Sequence, residues 1–320
     1  MDSKLHAQNC TNILKPDVVL WVKYEYWFYY LKEIKVRKIP LLMISGIYRR
    51  NQVFFRWYGG IYRNMLNCFS HFFVQNESSK EQLQTIIPTE KITVSGDTRC
   101  DRVINIAKEF KEVRGIKEFC GNSRVIVMGS TWEDDEAEWT HFVKHHPEIK
   151  FIIAPHEIDP ENLSDVKREF EGSVFYSKWI EEGRSNTDDR KLTTNDRPNC
   201  IIIDNIGMLS RLYHYATITY VGGWFGDDGL HNILEAVFYG KPVIFGPEYE
   251  RNFEAEEMID CSAAISIENA LDLEKIVNHL LSKEEELLSR SRAAKEYVYK
   301  NAGATDKIIL FLIKNNLPGK

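Results

Sequence analysis

The stretch ATITYVGGWFGDDGLHNILEAVFYGKPVIFG, residues 216–246, decides the fold. Residues 216–223 are an apolar run that ends in two glycines, and this predicts a buried strand. Apolar residues recur with helical spacing over residues 231–240, and residues 243–246 form a second short apolar run. A strand, a glycine turn, a helix and a further strand in this order are typical of a parallel α/β sheet.

This stretch also predicts a binding site. A helix start presents unpaired backbone N–H groups to an anion, and we expect Gly229, His231 and Asn232 to form that start. Glu235 lies within the helix, where its carboxylate can accept two hydrogen bonds from the vicinal hydroxyls of a ribose. The alternative is that Asp228 and Asn232 cap the helix, that Glu235 is a solvated first-turn acid, and that residues 240–242 only end the helix.

Composition excludes several classes of protein. With 320 residues, 43% of them hydrophobic, the chain can bury two cores of ordinary size. A net charge of −6 argues against a general nucleic-acid surface. The six cysteines lack metal-ligand spacing, which predicts reduced thiols and no structural zinc. No apolar run approaches the roughly 20 residues of a membrane span, so the chain as given is predicted to be soluble or peripheral.

Strands and helices alternate along the chain, which predicts two doubly wound, Rossmann-like parallel-sheet domains. Residues 111–123 are interpreted as a linker between them. The predicted domains are residues 1–115 and 118–303, and a C-terminal helix within residues 304–320 is expected to pack back on the first domain. The predicted strands are residues 17–22, 39–45, 71–75 and 91–96 in the first domain, and 124–130, 150–155, 173–177, 199–204, 216–223 and 242–246 in the second.

Three strands of the second domain end in small or polar residues. These residues are Gly129, Ser130 and Thr131 after the first strand, Pro155 and His156 after the second, and Gly222 and Gly223 after the fifth. Because parallel strands end at one edge of a sheet, we expect the three ends to line a single cleft. The glycine and hydroxyl residues suit a phosphate, and Pro155 with His156 suits a nucleotide base. Alternatively, Ser130 caps a helix that starts near Asp134 and His156 is structural.

Aromatic and basic residues alternate in NQVFFRWYGGIYRNMLN, residues 51–67. Together with Arg49 and Arg50 before it, this pattern is typical of a segment that contacts the headgroups of an anionic membrane surface. The alternative is a core helix with its arginines on the solvated side.

Seven ordered blocks resemble the 3-deoxy-D-manno-octulosonic acid (Kdo) transferases of lipopolysaccharide synthesis, over about Lys15 to Asp306. The resemblance implies a glycosyltransferase-B fold at the cytoplasmic face of the inner membrane. It also implies transfer of Kdo from CMP-Kdo to the lipid A precursor, with no bound metal or other cofactor. The blocks are WVKYEYWFYYL (21–31), IPLLMISGIYR (39–49), FFVQNE (72–77), VSGDTRCDRV (94–103), VMGSTWEDDE (127–136), IIAPHEI (152–158) and the run from Tyr220 to Ala255.

The resemblance also implies residue roles. Glu235 is similar to the ribose-binding acid of the family, and Asn232 with the backbone after Gly229 is similar to its phosphate-side neighbour. Pro155 and His156 stand where the family holds the cytosine, although many members have Arg after this proline. Glu25 matches the glutamate of an E-x-W motif on the acceptor side, with a first-turn helix acid as its alternative.

Two weaker candidates, Asn252 and Phe253, follow the last predicted strand. They are equally explained as the cap and the hydrophobic staple of the helix that starts there.

Members of the family begin with a hydrophobic anchor, followed by a glycine-containing loop whose glutamate is the catalytic base. Neither feature has a counterpart before Lys15. The resemblance therefore implies an N-terminally incomplete first domain that lacks this base, and we expect residues 1–320 alone to give no detectable transfer. Two alternatives remain open at this point, a nucleotide-sugar epimerase of the same fold and a non-catalytic CMP-binding remnant.

Overall fold

The computed structural model describes residues 2–23, 25–185, 198–223, 225, 233–249 and 252–317, with the backbone alone at 183–185. The chain divides into two compact units. The first comprises Met1–Arg102 and Tyr299–Lys320, and the second comprises Val103–Val298.

The first unit contains a parallel sheet of four strands in the order β1-β2-β3-β4. Its strands are β1 (Val19–Val22), β2 (Leu41–Gly46), β3 (His71–Val74) and β4 (Ile92–Val94). Its helices are α1 (Lys4–Leu14), α2 (Phe28–Val36), α3 (Gly60–Leu66), α4 (Glu77–Leu83), the start of α5 (Thr98–Lys108) and α15 (Ala304–Lys314).

Both faces of this sheet are covered. Successive strand residues point to opposite faces, so Leu41 and Met43 enter one core cluster while Leu42 and Ile44 enter another. The second cluster also contains Ile308 of α15, so the C-terminal helix packs on the sheet of the first unit. Two-sided burial explains why β2 is a continuous apolar run rather than an alternating one.

The second unit contains a parallel sheet of seven strands in the order β11-β10-β9-β5-β6-β8-β7. Its strands are β5 (Val125–Thr131), β6 (Lys150–Pro155), β7 (Val174–Phe175), β8 (Cys200–Ile202), β9 (Ile218–Val221), β10 (Val243–Phe245) and β11 (Ala264–Ser266). Its helices are α6 (Ile116–Cys120), α7 (Glu133–His145), α8 (Pro160–Glu169), α9 (Tyr176–Ser185), α10 (Leu209–Leu212), α11 (Leu234–Phe238), α12 (Phe253–Asp260), α13 (Ala270–Ser282) and α14 (Glu284–Lys300), which runs into the first unit.

The strand order of the second unit reverses at its centre. From β5 the chain proceeds through β6, β7 and β8 on one side, and then continues with β9, β10 and β11 on the other. Adjacent strands β5 and β9 therefore flank the topological switch point, where open parallel sheets bind ligands at the carboxyl ends of their strands. The predicted fold class, α/β with two Rossmann-like parallel sheets, is confirmed.

Some local predictions were wrong. Residues 111–123 are not an exposed linker, because they carry α6 and bury Val113, Ile116 and Phe119. The predicted strand 173–177 shortens to β7, since Tyr176 already begins α9. α1 and β11 were not predicted from the sequence, because they are short or only half apolar.

Across the described residues, no helix has the combination of length and apolar character that crossing a membrane requires.

Candidate functional site

The carboxyl ends of β5, β6 and β9 are joined to one another by hydrogen bonds. The Gly222 N–H donates to the Gly129 carbonyl at 2.9 Å, and the His156 N–H donates to the Thr131 carbonyl at 2.9 Å. The structure therefore brings the predicted residues at these three strand ends into one contiguous group of loops.

Ser130 occupies an unusual backbone conformation at the tip of β5. Its φ of 54° lies in the left-handed region, and it coincides with a register shift between Gly129 and Thr131. Non-glycine residues adopt this conformation rarely, and such residues cluster at functional sites. Ser130 does not cap the following helix, because the N-cap of α7 is Trp132. The capping alternative for Ser130 was therefore wrong.

Asp135, which the sequence analysis did not select, ties the ends of β5 and β9 together. Its Oδ2 accepts hydrogen bonds from the N–H groups of Trp132 at 2.9 Å and Gly223 at 2.8 Å. Its Oδ1 accepts from the Tyr220 hydroxyl at 2.5 Å. Burial raises the pKa of Asp135, while these three hydrogen bonds lower it. The carboxylate of Asp135 thus holds together the loops at the ends of β5 and β9, which are predicted to bind a phosphate.

Gly222 is glycine because the β5 loop approaches it closely. A Cβ at this position would lie 2.5 Å from the Ser130 carbonyl oxygen and 2.6 Å from the Asp135 Oδ2. Asp135 Oδ2 cannot retreat without breaking the hydrogen bonds that it accepts from Trp132 and Gly223. The residue is therefore required for packing, whether or not it contacts a ligand.

The Thr131 hydroxyl points to a buried acid. Thr131 Oγ1 donates to Glu136 Oε1 at 2.7 Å, and both residues are buried. Burial raises the pKa of Glu136 to about 7, with further increases from Asp135, Glu169 and Glu133. The predicted presentation of this hydroxyl to a phosphate therefore does not fit the structure.

His156 forms an aromatic platform with Trp132. Their rings stack with centroids 4.5 Å apart and an angle of 25° between planes. Pro155, by contrast, is buried and pairs with Thr131 across the sheet. A stacked ring pair at the carboxyl ends of β5 and β6 suits a flat nucleotide base better than a lone histidine does.

Glu235 lies beside two tyrosines of the same unit. The charge of its carboxylate adds to burial in raising the pKa of Tyr213 and of Tyr239. The Tyr213 hydroxyl in turn lies 2.0 Å from where a Cβ on Gly129 would stand. Tyr213 therefore connects the surroundings of Glu235 with the end of β5.

The helix that carries Glu235 is shorter than predicted. α11 spans Leu234–Phe238 with Ile233 as its N-cap, so Glu235 lies in the first turn and not one turn into the helix. Gly229, His231 and Asn232, like the alternative cap Asp228, lie outside the described residues. Their predicted phosphate contacts remain predictions.

Asn252 is a helix cap. Its side-chain oxygen accepts hydrogen bonds from the N–H groups of Glu254 at 3.0 Å and Ala255 at 3.3 Å, at the start of α12. The capping alternative for Asn252 is therefore confirmed, with Phe253 as the first residue of the helix.

Glu25 lies in the loop between β1 and α2, at the carboxyl end of β1. It is exposed, and its carbonyl accepts a hydrogen bond from the Trp21 indole. Since α2 begins at Phe28 and has no acid in its first turn, the alternative of a first-turn helix acid was wrong. The exposed carboxylate remains a prediction for the acceptor side.

A second polar cluster, missed from the sequence, lies where the strands of the first unit end. Asp97 is buried after β4, and its Oδ2 accepts from Lys23 Nζ at 3.4 Å, Gln75 Nε2 at 3.1 Å and Arg99 Nη2 at 2.7 Å. Burial raises the pKa of Asp97, but the hydrogen bonds and charges of Arg99 and Lys23 outweigh it and keep that pKa low. The cluster joins residues that follow β1, β3 and β4.

The cysteines and possible metal ligands were also located. All six cysteines are free in the structure. In the described ranges, no three His, Cys, Asp or Glu side chains are grouped as metal ligands.

Comparison with known proteins gives the relatives of the chain. Residues 1–102 match the family model described as 3-deoxy-D-manno-octulosonic-acid transferase (kdotransferase). A bifunctional glycosyltransferase/methyltransferase of Fusobacterium nucleatum is 27% identical over 287 residues, which cover 87% of this chain and 43% of that protein. A 3-deoxy-D-manno-octulosonic acid transferase of Chlamydophila psittaci is 23% identical, over 96% of this chain and 70% of the relative. The chain thus spans less than half of the first relative.

Solved structures give the fold. The UDP-GlcNAc 2-epimerase of Neisseria meningitidis, solved with bound UDP-GlcNAc, superposes with a TM-score of 0.68 at 18% identity. The match covers 97% of this chain and 80% of the epimerase. At this identity the likeness concerns the fold alone, which is of the glycosyltransferase-B type. The family match of residues 1–102 and the relatives that align with most of the chain confirm the predicted resemblance to the Kdo transferases.

Proposed function

We propose that this chain provides the donor site of a glycosyltransferase that moves Kdo from CMP-Kdo to the lipid A precursor. The observation that supports this most strongly is the convergence of the ends of β5, β6 and β9 at the switch point of the second sheet. The names of the relatives supply the sugar and the reaction type.

In this proposal each side of the site binds one part of CMP. The Trp132 and His156 platform stacks on the cytosine, and Glu235 accepts hydrogen bonds from the ribose hydroxyls. Backbone N–H groups around Ser130, with Gly229, His231 and Asn232, bind the phosphate. Gly129, Gly222 and Gly223 allow the close approach of these loops.

The reaction that we propose is an inverting displacement at the anomeric carbon of Kdo, without a metal ion. A carboxylate removes the proton of the acceptor hydroxyl, the new glycosidic bond forms, and the bond to the CMP oxygen breaks. The donors of the second unit stabilise the charge that develops on the CMP phosphate. In this scheme Glu25, at the end of β1, is the carboxylate on the acceptor side. Because the acceptor is a lipid, the proposed reaction takes place at the inner membrane.

Replacing Glu235 by Ala should lower CMP affinity more than tenfold. The expected loss is about 1.5–3 kcal/mol, the typical value of hydrogen bonds to a charged acceptor. Isothermal titration calorimetry of the full chain with CMP measures it. Glu235→Gln, which keeps one acceptor oxygen but loses the charge, should give an intermediate value.

The control is Glu284→Ala, which removes an exposed first-turn acid of α14. It should leave CMP affinity unchanged. If the wild-type and Glu235→Ala proteins bind CMP with equal affinity, Glu235 does not contact the nucleotide. Its carboxylate would then only interact with the dipole at the start of α11.

A transfer assay with CMP-Kdo and the lipid A precursor tests the acceptor half. If the full chain transfers Kdo, Glu25→Gln should lower the rate by about 10²–10⁴ where Glu25 is the general base. An unchanged rate would assign the base to another acid. CMP binding without transfer would instead favour the non-catalytic CMP-binding alternative.

A further inference from the structure

Positive charge is concentrated in one part of the first unit. Between Glu33 and Glu77 the sequence contains seven Lys and Arg residues and no Asp or Glu, although the whole chain has a net charge of −6. Four of the seven, Arg49, Arg50, Arg56 and Arg63, surround the segment that joins β2 to α3. This region is thus electrostatically distinct from the rest of the protein.

Large aromatic and aliphatic side chains are exposed in the same place. Trp57 is 90% exposed, Ile61 is 64% exposed and Tyr58 is 60% exposed, with Tyr62 beside them. We name residues 53–62 the aromatic turn. The alternative of a core helix holds only for the end of α3, where Met65 and Leu66 are buried.

The backbone of the aromatic turn is fixed. Arg56 N–H donates to the Val53 carbonyl at 3.2 Å, and Gly59 N–H donates to the Arg56 carbonyl at 3.0 Å. A Cβ at Gly59 would lie 2.1 Å from the Val53 carbonyl oxygen, so only glycine fits there. The exposure of Trp57 therefore follows from a defined turn, anchored in the core by Phe54.

Arg63 has a structural role in this turn. Its Nη1 donates to the carbonyls of Arg56 at 2.9 Å and Phe54 at 3.3 Å, and so ties α3 to the turn. Of the four arginines around the aromatic turn, Arg50 and Arg56 are exposed. A test of surface charge should therefore change Arg50 and Arg56 and leave Arg63 in place.

We propose that the aromatic turn docks on the surface of an anionic lipid bilayer. Trp57, Tyr58 and Ile61 insert at the level of the headgroups, where amphipathic rings are favoured. Arg50 and Arg56 pair with the anionic headgroups at the edge of the insertion. The excess of positive charge, in an otherwise acidic protein, selects a negatively charged surface as the partner. This inference requires neither the donor site nor Kdo transfer.

The experiment is sedimentation of the full chain with lipid vesicles. Vesicles of phosphatidylcholine with about one third phosphatidylglycerol should bind the protein, and pure phosphatidylcholine should bind it at least about fivefold more weakly. The double variant Trp57→Ala/Ile61→Ser should lower the partition coefficient by about tenfold or more. Arg50→Ser/Arg56→Ser should lower it by a similar factor and weaken its dependence on salt.

The matched control is Leu271→Ser, which removes an apolar side chain that is 80% exposed on α13 of the second unit. It should leave vesicle binding unchanged. Because Trp57 is almost fully exposed, its variant should keep the wild-type thermal midpoint and CMP affinity, which separates lost docking from lost folding.

Three results would overturn the proposal. One is no binding to anionic vesicles, and another is binding that the Trp57 and Ile61 variant does not reduce. The third is lipid-independent self-association that this variant abolishes, since the turn would then be covered by a second copy of the chain.

Discussion

Replacing Asp135 by Ala should destabilise the second unit by about 4 kcal/mol. The substitution leaves the buried Gly223 N–H and Tyr220 hydroxyl and the part-buried Trp132 N–H without their acceptor. An unsatisfied buried donor typically costs about 1–3 kcal/mol, and here three donors share the loss. The loops at the ends of β5 and β9 should also separate, so CMP binding should fall with stability.

Urea unfolding followed by circular dichroism measures the effect. Asp134→Ala is the control, because Asp134 is the exposed neighbour in the same helical turn. Asp135→Asn, which keeps one acceptor oxygen, should lie between the two. A loss below about 1 kcal/mol for Asp135→Ala would mean that water replaces the carboxylate and that Asp135 does not hold the loops.

Stability should fall with rising pH because of Glu136, and Glu136→Gln should remove that fall. The carboxyl group is 4% exposed, and its pKa is about 7 in the folded protein against 4.5 in its ordinary state. The folded state therefore binds the proton more tightly than the unfolded state between these values. The contribution of Glu136 to stability is greatest below pH 4.5, declines as pH rises towards 7, and then levels off, with a total change of about 3 kcal/mol.

The measurement is the free energy of unfolding at several pH values from 5 to 8. As pH rises across this range, the free energy of unfolding of Glu136→Gln should increase relative to that of the wild-type protein. Parallel curves would contradict a raised pKa of Glu136 that lies within this range.

The strand ends of the site could be predicted from the sequence, since apolar runs followed by glycine or hydroxyl residues mark the carboxyl edge of a parallel sheet. Gly129, His156 and Gly222 were found in this way. Asp135 and Glu136 could not be, because EDDE at a helix start is typical of solvated acids that favour the helix dipole. Asp135 is held in its buried position by Tyr220 and Gly223, 85 and 88 residues further along the chain, and Glu136 accepts a hydrogen bond from the Thr131 hydroxyl.

The wrong linker prediction has a physical cause. Residues 111–123 look like a linker because charged residues and glycines alternate, yet the Val113 N–H donates to the Tyr215 hydroxyl, and the Phe119 and Trp179 rings are in contact. Long-range packing, which sequence periodicity does not report, decides this outcome. It also decides that Trp57 is exposed, a point that the sequence left open between a headgroup-contacting segment and a core helix.

The most direct test of the account is a calorimetric titration of the full chain with CMP and, separately, with UDP. The proposed function predicts that CMP binds at least about tenfold more tightly than UDP, because a site for a CMP-linked donor would match the base and the single phosphate of CMP. Affinity for UDP equal to or greater than that for CMP would contradict the account and favour a nucleotide-sugar epimerase on the same fold.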